Sequence, residues 1–228
     1  LTGGIFMDAT KVPFETIQKQ IPHVYKTCLH RGIDITKTPL EVAPGSHTWL
    51  GGVEIDINGR TQVPGLLAAG ETAGGIHGGN RIGGSALSAS MVFGRRSGRA
   101  AAAAVKALGS NGPSPATFPE EERQWLSQLL DRRDGPLQAD VLRRCKMLAH
   151  EKLGPIRDGA TCAEAYSEYQ HIERDVIPKM RLGSDAAKSD KVRGQELESA
   201  LGVRNLALLG RLLGTAAIRR EESRGAHY

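Results

Sequence analysis

Four side chains in this 228-residue chain have types and surroundings that could do chemistry: His47, Glu71, His77 and Arg81. The last three lie in one stretch, Pro64 to Gly98, PGLLAAGETAGGIHGGNRIGGSALSASMVFGRRSG. Seven glycines fall between Gly70 and Gly84, namely 70, 74, 75, 78, 79, 83 and 84. Glycine at that density lets a ligand come close to the main chain. Arg81 sits between glycine pairs. Its planar guanidinium suits a bidentate grip on a carboxylate, and a loop arginine paired to a protein carboxylate is the second reading the residues leave open. Glu71, after a short apolar run and before the glycines, suits a ligand hydroxyl or a structural ion pair. His77 either donates to a ligand or fixes the loop. His47, ahead of Trp49, Gly51 and Gly52, is a structural histidine or a hydrogen-bond donor to a ligand.

The elements that must position these groups follow from the pattern around them. Leu66-Leu67-Ala68-Ala69 reads as a buried strand. An alanine-rich helix begins near Ser85 and runs to about residue 109, where Gly109-Ser110-Asn111-Gly112-Pro113 ends it. A helix start preceded by glycines is an anion site, because its first amides are unpaired and the dipole is positive there. The first amides of this helix therefore face whatever the loop binds. Strand, glycine loop and helix together predict a flat or anionic ligand, or tight packing.

The rest of the chain divides around this stretch. Residues 1 to 40 begin with a short strand at Gly4-Ile5-Phe6-Met7. Two helical pieces follow, with Phe14, Ile17, Ile21 and Val24 at helical spacing and Pro22 breaking the run. Residues 41 to 64 read as β structure: Val53-Glu54-Ile55-Asp56-Ile57 alternates apolar and polar, and Asn58-Gly59 signals a type I′ hairpin. Residues 110 to 118, SNGPSPATF, read as a linker. Beyond it the spacing is helical. A helix starts at Pro119 with acids in its first turn. Others run over Gln138–Leu153, Cys162–Met180 and Gly194 to about Arg220, the last rich in leucine. The fold class expected is an α/β segment with part of an α+β domain before it and an all-α helical bundle after it, divided as 1–40, 41–112 and 113–228.

Composition narrows the function classes. Lys and Arg number 30 against 25 Asp and Glu, a net charge of +5 with the basic residues spread along the chain. Aromatics are only 4%. Nucleic-acid binding is not expected from this pattern. No run of 18 apolar residues occurs, so no membrane span is expected. Cys28, Cys145 and Cys162 are far apart and odd in number. No zinc or iron–sulfur ligation is implied, and three reduced thiols fit a reducing compartment.

Longer motifs add to these readings. Gly70-Glu71, His77-Gly78-Gly79-Asn80-Arg81-Ile82-Gly83-Gly84 and Phe93-Gly94-Arg95 together resemble the flavin-binding loop of the succinate dehydrogenase and fumarate reductase flavoprotein family. The resemblance extends to Gly3-Gly4-Ile5-Phe6-Met7-Asp8, Ile21-Pro22-His23-Val24-Tyr25 and Gly32-Ile33-Asp34. At the other end it covers Leu153-Gly154-Pro155-Ile156-Arg157-Asp158 and Arg220-Glu221-Glu222-Ser223-Arg224-Gly225-Ala226-His227-Tyr228. Pro155 departs from the family pattern but keeps the turn, and Ser85-Ala86-Leu87-Ser88 stands where the family often has Asn-Ser-Leu-Leu.

The resemblance implies an FAD-dependent oxidoreductase acting on succinate or fumarate. In its terms residues 1–40 end the substrate-capping domain, 41–112 form the C-terminal segment of the FAD-binding domain, and 113–228 form the C-terminal helical domain. It implies that His47 and Arg81 bind the dicarboxylate substrate, that Glu71 holds the ribityl chain of FAD, and that the Ala86 and Leu87 amides face the flavin ring. Neither a metal ligand nor a catalytic proton donor is expected in these residues, because in the family the proton-donating arginine lies in the N-terminal half, with the Gly-x-Gly-x-x-Gly fold. Gly78–Gly84 does not fit that fingerprint. Leu1 opens the chain in what reads as the middle of a domain, so a fragment, a processed chain or one piece of a split subunit is expected, inactive without its N-terminal half. The partners implied are a chain carrying that half and an iron–sulfur subunit of a membrane-bound complex. The compartments implied are the cytoplasm or the mitochondrial matrix, or the inner face of an energy-transducing membrane. The alternatives are an L-aspartate oxidase and a non-catalytic assembly subunit.

Overall fold

The computed structural model describes residues 5–42, 47–109, 117–183 and 190–228. Of the sequence readings, Gly3-Gly4, Pro44 to Ser46 and most of the 110–118 linker lie outside the described residues. The chain separates into two compact units, Leu1–His47 and Thr48–Tyr228.

The first unit pairs strand β1 (Ile5–Met7) antiparallel with β2 (Leu40–Val42), Phe6 opposite Glu41. Between them run helices α1 (Phe14–Gln20) and α2 (Pro22–His30). Pro22 breaks the helical run as its fixed φ and missing donor require, and it opens α2 at its first position. A small core of Ala9, Ile17 and Ile35 holds this unit, with Tyr25 and Leu40 against it.

In the second unit the expected strands at 53–57 and 66–69 are reduced to single bridges. Val53 pairs in parallel with Ala73, and Arg60 antiparallel with Leu67. Pro64-Gly65 on one side and Gly70 on the other, both glycines at positive φ, leave room for only four residues between turns. Leu66 is exposed, and Gly70–Thr72 is a 3₁₀ turn. The Asn58-Gly59 turn is also not type I′, which needs positive φ at both residues. Only Gly59 has it. The Asp56 carboxylate accepts from the Asn58 and Arg60 amides at 2.8 and 2.9 Å, which settles the turn in its observed form and holds that carboxyl below the usual range.

Helix α3 (Ser85–Leu108) carries the loop. Its small residues face the turns before it. A Cβ on Gly59 would lie 2.7 Å from Ser97 Cβ, and one on Gly70 3.5 Å from Ser90 Oγ.

The bundle comprises α4 (Glu120–Asp131), α5 (Gln138–Lys152), α6 (Gly159–His171) and α7 (Asp190–Arg219). The helix read as Cys162–Met180 changes pitch. Residues 172–176 form a π-helical turn and Ile177–Lys179 a 3₁₀ turn, where Pro178 cannot continue an α ladder. Asp158 caps α6 through the Thr161 amide at 2.9 Å. The core lies here: Tyr169, Ile172, Cys145, Ala165, Ala200, Val203 and Ala207 are fully buried. Burial alone contributes about 1.5–3 kcal/mol for each large apolar side chain. Tyr169 keeps its hydroxyl satisfied by donating to the Cys145 carbonyl at 2.8 Å. Burial pushes the Cys145 thiol up to about 11, so it is inert at neutral pH.

α7 is by length and composition apolar enough to cross a membrane, with mean hydropathy 1.2 over its best window. Its buried face instead packs on α5 and α6. It is the central helix of the bundle.

Candidate functional site

The glycine loop is built on three supports. The first is the strand-like pairing of 52–53 with 72–74: Val53 N donates to Thr72 O at 2.8 Å and Gly74 N to Val53 O at 2.9 Å. Gly52 is required there, since a Cβ would fall 2.1 Å from Thr72 O. The second is α3, whose start is fixed by the Ser85 hydroxyl donating to Ile82 O at 2.7 Å. The third is the C-terminal segment, where Ala226 N donates to Gly79 O at 3.0 Å.

Within this frame Glu71 is exposed, and one of its oxygens accepts the Trp49 amide at 2.7 Å. That bond ties the Trp49–Gly52 segment to the loop. The other oxygen makes no hydrogen bond among the described residues and is left to accept from a ligand. Arg81 is half-buried. Its amide donates to the Asn80 side chain at 2.9 Å, and its buried Nε has no acceptor among the described residues. A buried guanidinium N–H without a partner costs on the order of 1–3 kcal/mol, more for a charged group. An anion supplied from outside removes that cost. No ion pair to a protein carboxylate is made by Arg81 among the described residues, which disfavours the structural reading.

His77 is half-buried in the loop. His47 is exposed and closes the first unit, whereas Glu71, His77 and Arg81 belong to the second. Ala86 and Leu87 stand in the first turn of α3. Gly84, in the left-handed conformation, precedes that turn, and no side chain caps it. At Gly75, Gly78, Gly83 and Gly84 a Cβ would meet no atom within 4 Å. An uncapped helix start beside open glycine backbone can receive a planar or anionic group from the outside. No group of three or more metal-ligating side chains occurs among the described residues.

Sequence reasoning did not find what the last eight residues do. His227 is buried, and its ring joins Arg157 to the Arg220 carbonyl. The spacing carries no signal for this, because Arg157 and His227 are 70 residues apart.

Comparison with known proteins bears on what this geometry serves. Residues 2–87 match the profile of an FAD binding domain, and residues 143–228 that of the fumarate reductase flavoprotein C-terminal region. The chain is 36% identical over 227 residues to a subunit of the fumarate reductase (CoM/CoB) of Methanothermobacter marburgensis, covering 99% of this chain and 40% of that protein. It is 33% identical to the L-aspartate oxidase of Pseudomonas aeruginosa, covering 98% and 38%. Among solved structures it superimposes on the Mycobacterium smegmatis Sdh1 complex in its apo form with a TM-score of 0.79 and 31% identity, covering 99% of this chain and 38% of that one. The chain thus spans about 40% of the length of the curated relatives it matches. The open glycine backbone, the uncapped start of α3 and the free oxygen of Glu71 fit the FAD that the matched domain is named for.

Proposed function

Because this chain belongs to the succinate dehydrogenase and fumarate reductase flavoprotein family of FAD-dependent oxidoreductases, we propose that it forms the C-terminal part of a flavoprotein that oxidises succinate or reduces fumarate. FAD, the family's cofactor, supplies hydride exchange with the substrate when bound. Each remaining role falls to residues of this chain. Arg81 grips a substrate carboxylate in a two-pronged contact. His47 donates a further hydrogen bond to the dicarboxylate, a role that rests on the family resemblance. Glu71 accepts from the ribityl hydroxyls, and the Ala86 and Leu87 amides face the flavin ring, where the positive end of α3 favours negative charge.

One observation carries this reading: the buried Nε of Arg81 lacks an acceptor among the described residues while the backbone beside it is open. A carboxylate ligand completes that group. The 228 residues hold no dinucleotide fingerprint of their own, so by themselves they retain no FAD and do not turn over. The N-terminal half of the FAD domain completes the site, and an iron–sulfur protein carries electrons onward.

L-aspartate oxidation is the second reading, favoured by the 33% identity to such an enzyme. The test is a substrate comparison on the flavoprotein that contains this chain, purified with its flavin. Succinate oxidation or fumarate reduction with an artificial electron carrier, without peroxide from L-aspartate, is expected. Aspartate-dependent peroxide with no dicarboxylate turnover would replace the first reading by the second.

A further inference from the structure

After α7 the chain turns back on the glycine loop. Arg224 and His227 close a tight turn, with Arg224 N donating to His227 O at 2.7 Å and His227 N returning to Arg224 O at 3.2 Å. At its tip Gly225 has φ +63, and a Cβ there would lie 2.0 Å from Gly79 O and 3.1 Å from Asn80 N. The fit is mutual, because a Cβ on Gly79 would meet Arg224 Cγ at 3.3 Å. Ala226 N donates to Gly79 O, two residues before Arg81.

The other side of the turn is anchored in the bundle. His227 Nε2 lies 3.1 Å from the Arg220 carbonyl and must donate to it. Nδ1, 3.1 Å from Arg157 Nη1, then accepts. That pairing places a ring proton on Nε2. Arg157 N donates to Tyr228 O at 2.8 Å, and Tyr228 N to Pro155 O at 2.9 Å. Arg157 is itself held by the Leu153 and Gly154 carbonyls at the end of α5. A continuous chain of hydrogen bonds therefore runs from the bundle through His227 and the turn to the backbone beside Arg81.

We propose that the turn Arg224–His227 is a positioning element for the glycine loop, with Gly225 and His227 as positioning residues that make the helical bundle set the direction of the Arg81 guanidinium. This rests on the reading of Arg81 as the carboxylate grip. It gives the bundle a part in substrate binding.

The test uses the full flavoprotein with its flavin. Gly225→Ala should lift the turn off Gly79. Amide hydrogen exchange at Gly79–Arg81 should quicken about tenfold or more, and KM for the dicarboxylate should rise about tenfold, while exchange in α6 and the flavin absorbance stay as in the parent. His227→Ala loosens the same turn from the bundle side and should give a smaller change in the same sense. His227→Gln, whose amide can again donate to the Arg220 carbonyl, should recover part of it. Unchanged exchange at Gly79–Arg81 in both Gly225→Ala and His227→Ala overturns the proposal whatever the kinetics. Quickened exchange with KM unmoved overturns it as well, provided Arg81→Lys abolishes turnover. If Arg81→Lys also leaves turnover intact, quickened exchange upholds the contact, and the carboxylate grip is the reading that fails.

Discussion

Four glycines of the loop and two of the bundle do opposite things in this chain. In the loop, a Cβ added at Gly75, Gly78, Gly83 or Gly84 would meet nothing within 4 Å. In the bundle, a Cβ on Gly210 of α7 would lie 2.2 Å from the Tyr169 ring, and one on Gly214 3.3 Å from Tyr166 Cβ. There glycine lets α6 and α7 meet closely enough to bury a tyrosine completely. In the loop it leaves backbone uncovered. Polar groups do not divide this way: Tyr169 finds an acceptor inside the bundle, but Arg132 Nε and Gln138 Oε1 there are buried without a partner among the described residues, as Arg81 Nε is in the loop. What separates the two regions is space beside these glycines, filled in the bundle and open in the loop.

That contrast can be broken by adding one methyl group to each region. Gly210→Ala should destabilise the bundle most, because the Tyr169 ring is buried and held by its bond to the Cys145 carbonyl and cannot swing clear. Overpacking of this kind costs about 1–3 kcal/mol. In a domain of this size that lowers Tm by about 2–4 °C per kcal/mol, read by calorimetry. An unchanged Tm would mean that the helices are not in close contact there.

Glu71→Ala comes next. Loss of a charge-assisted hydrogen bond to a ligand hydroxyl costs about 1.5–3 kcal/mol, roughly ten- to a hundredfold in affinity. Flavin loss on gel filtration of the full flavoprotein should rise accordingly. Removing the bond to the Trp49 amide loosens the 49–52 segment as well, so some of the loss is indirect. Tight flavin with a sharply weakened dicarboxylate would move Glu71 to the substrate side.

Gly83→Ala is the smallest change. Its φ is not positive, and its Cβ would point into open space. Tm should stay within about 1 °C, as for a surface substitution, while flavin retention falls because the methyl occupies ligand space. A lower Tm with flavin retention unchanged would make the loop a packing device like Gly210.

Sequence reading succeeded where one local rule decides the outcome. Pro22 broke α1 from α2, and Pro119 with Glu120–Glu122 started α4. The glycine loop and the start of α3 at Ser85 were legible because glycines and an alanine-rich run have few alternatives. The expected strands at 53–57 and 66–69 form only single bridges, because alternation describes which face a strand would bury, while a ladder needs a partner of matching length. The Asn58-Gly59 turn departs from type I′ because Asp56, ahead of it, takes the Asn58 and Arg60 amides. Helix 162–180 kept its extent but not its pitch, with Pro178 near its end. The contact of Gly225 with Gly79 depends on the path of α7, and no local pattern encodes it.

The most direct test of the account is Arg81→Lys in the full flavoprotein, measured as dicarboxylate turnover beside the flavin spectrum. Lysine keeps the charge and loses the planar fork. Turnover should fall about a hundredfold or more, the equivalent of losing one charge-assisted grip of about 3 kcal/mol, while the flavin stays bound with its absorbance unchanged. Activity within a few-fold of the parent would contradict the assignment of Arg81 and with it the reading of the open loop as the substrate face.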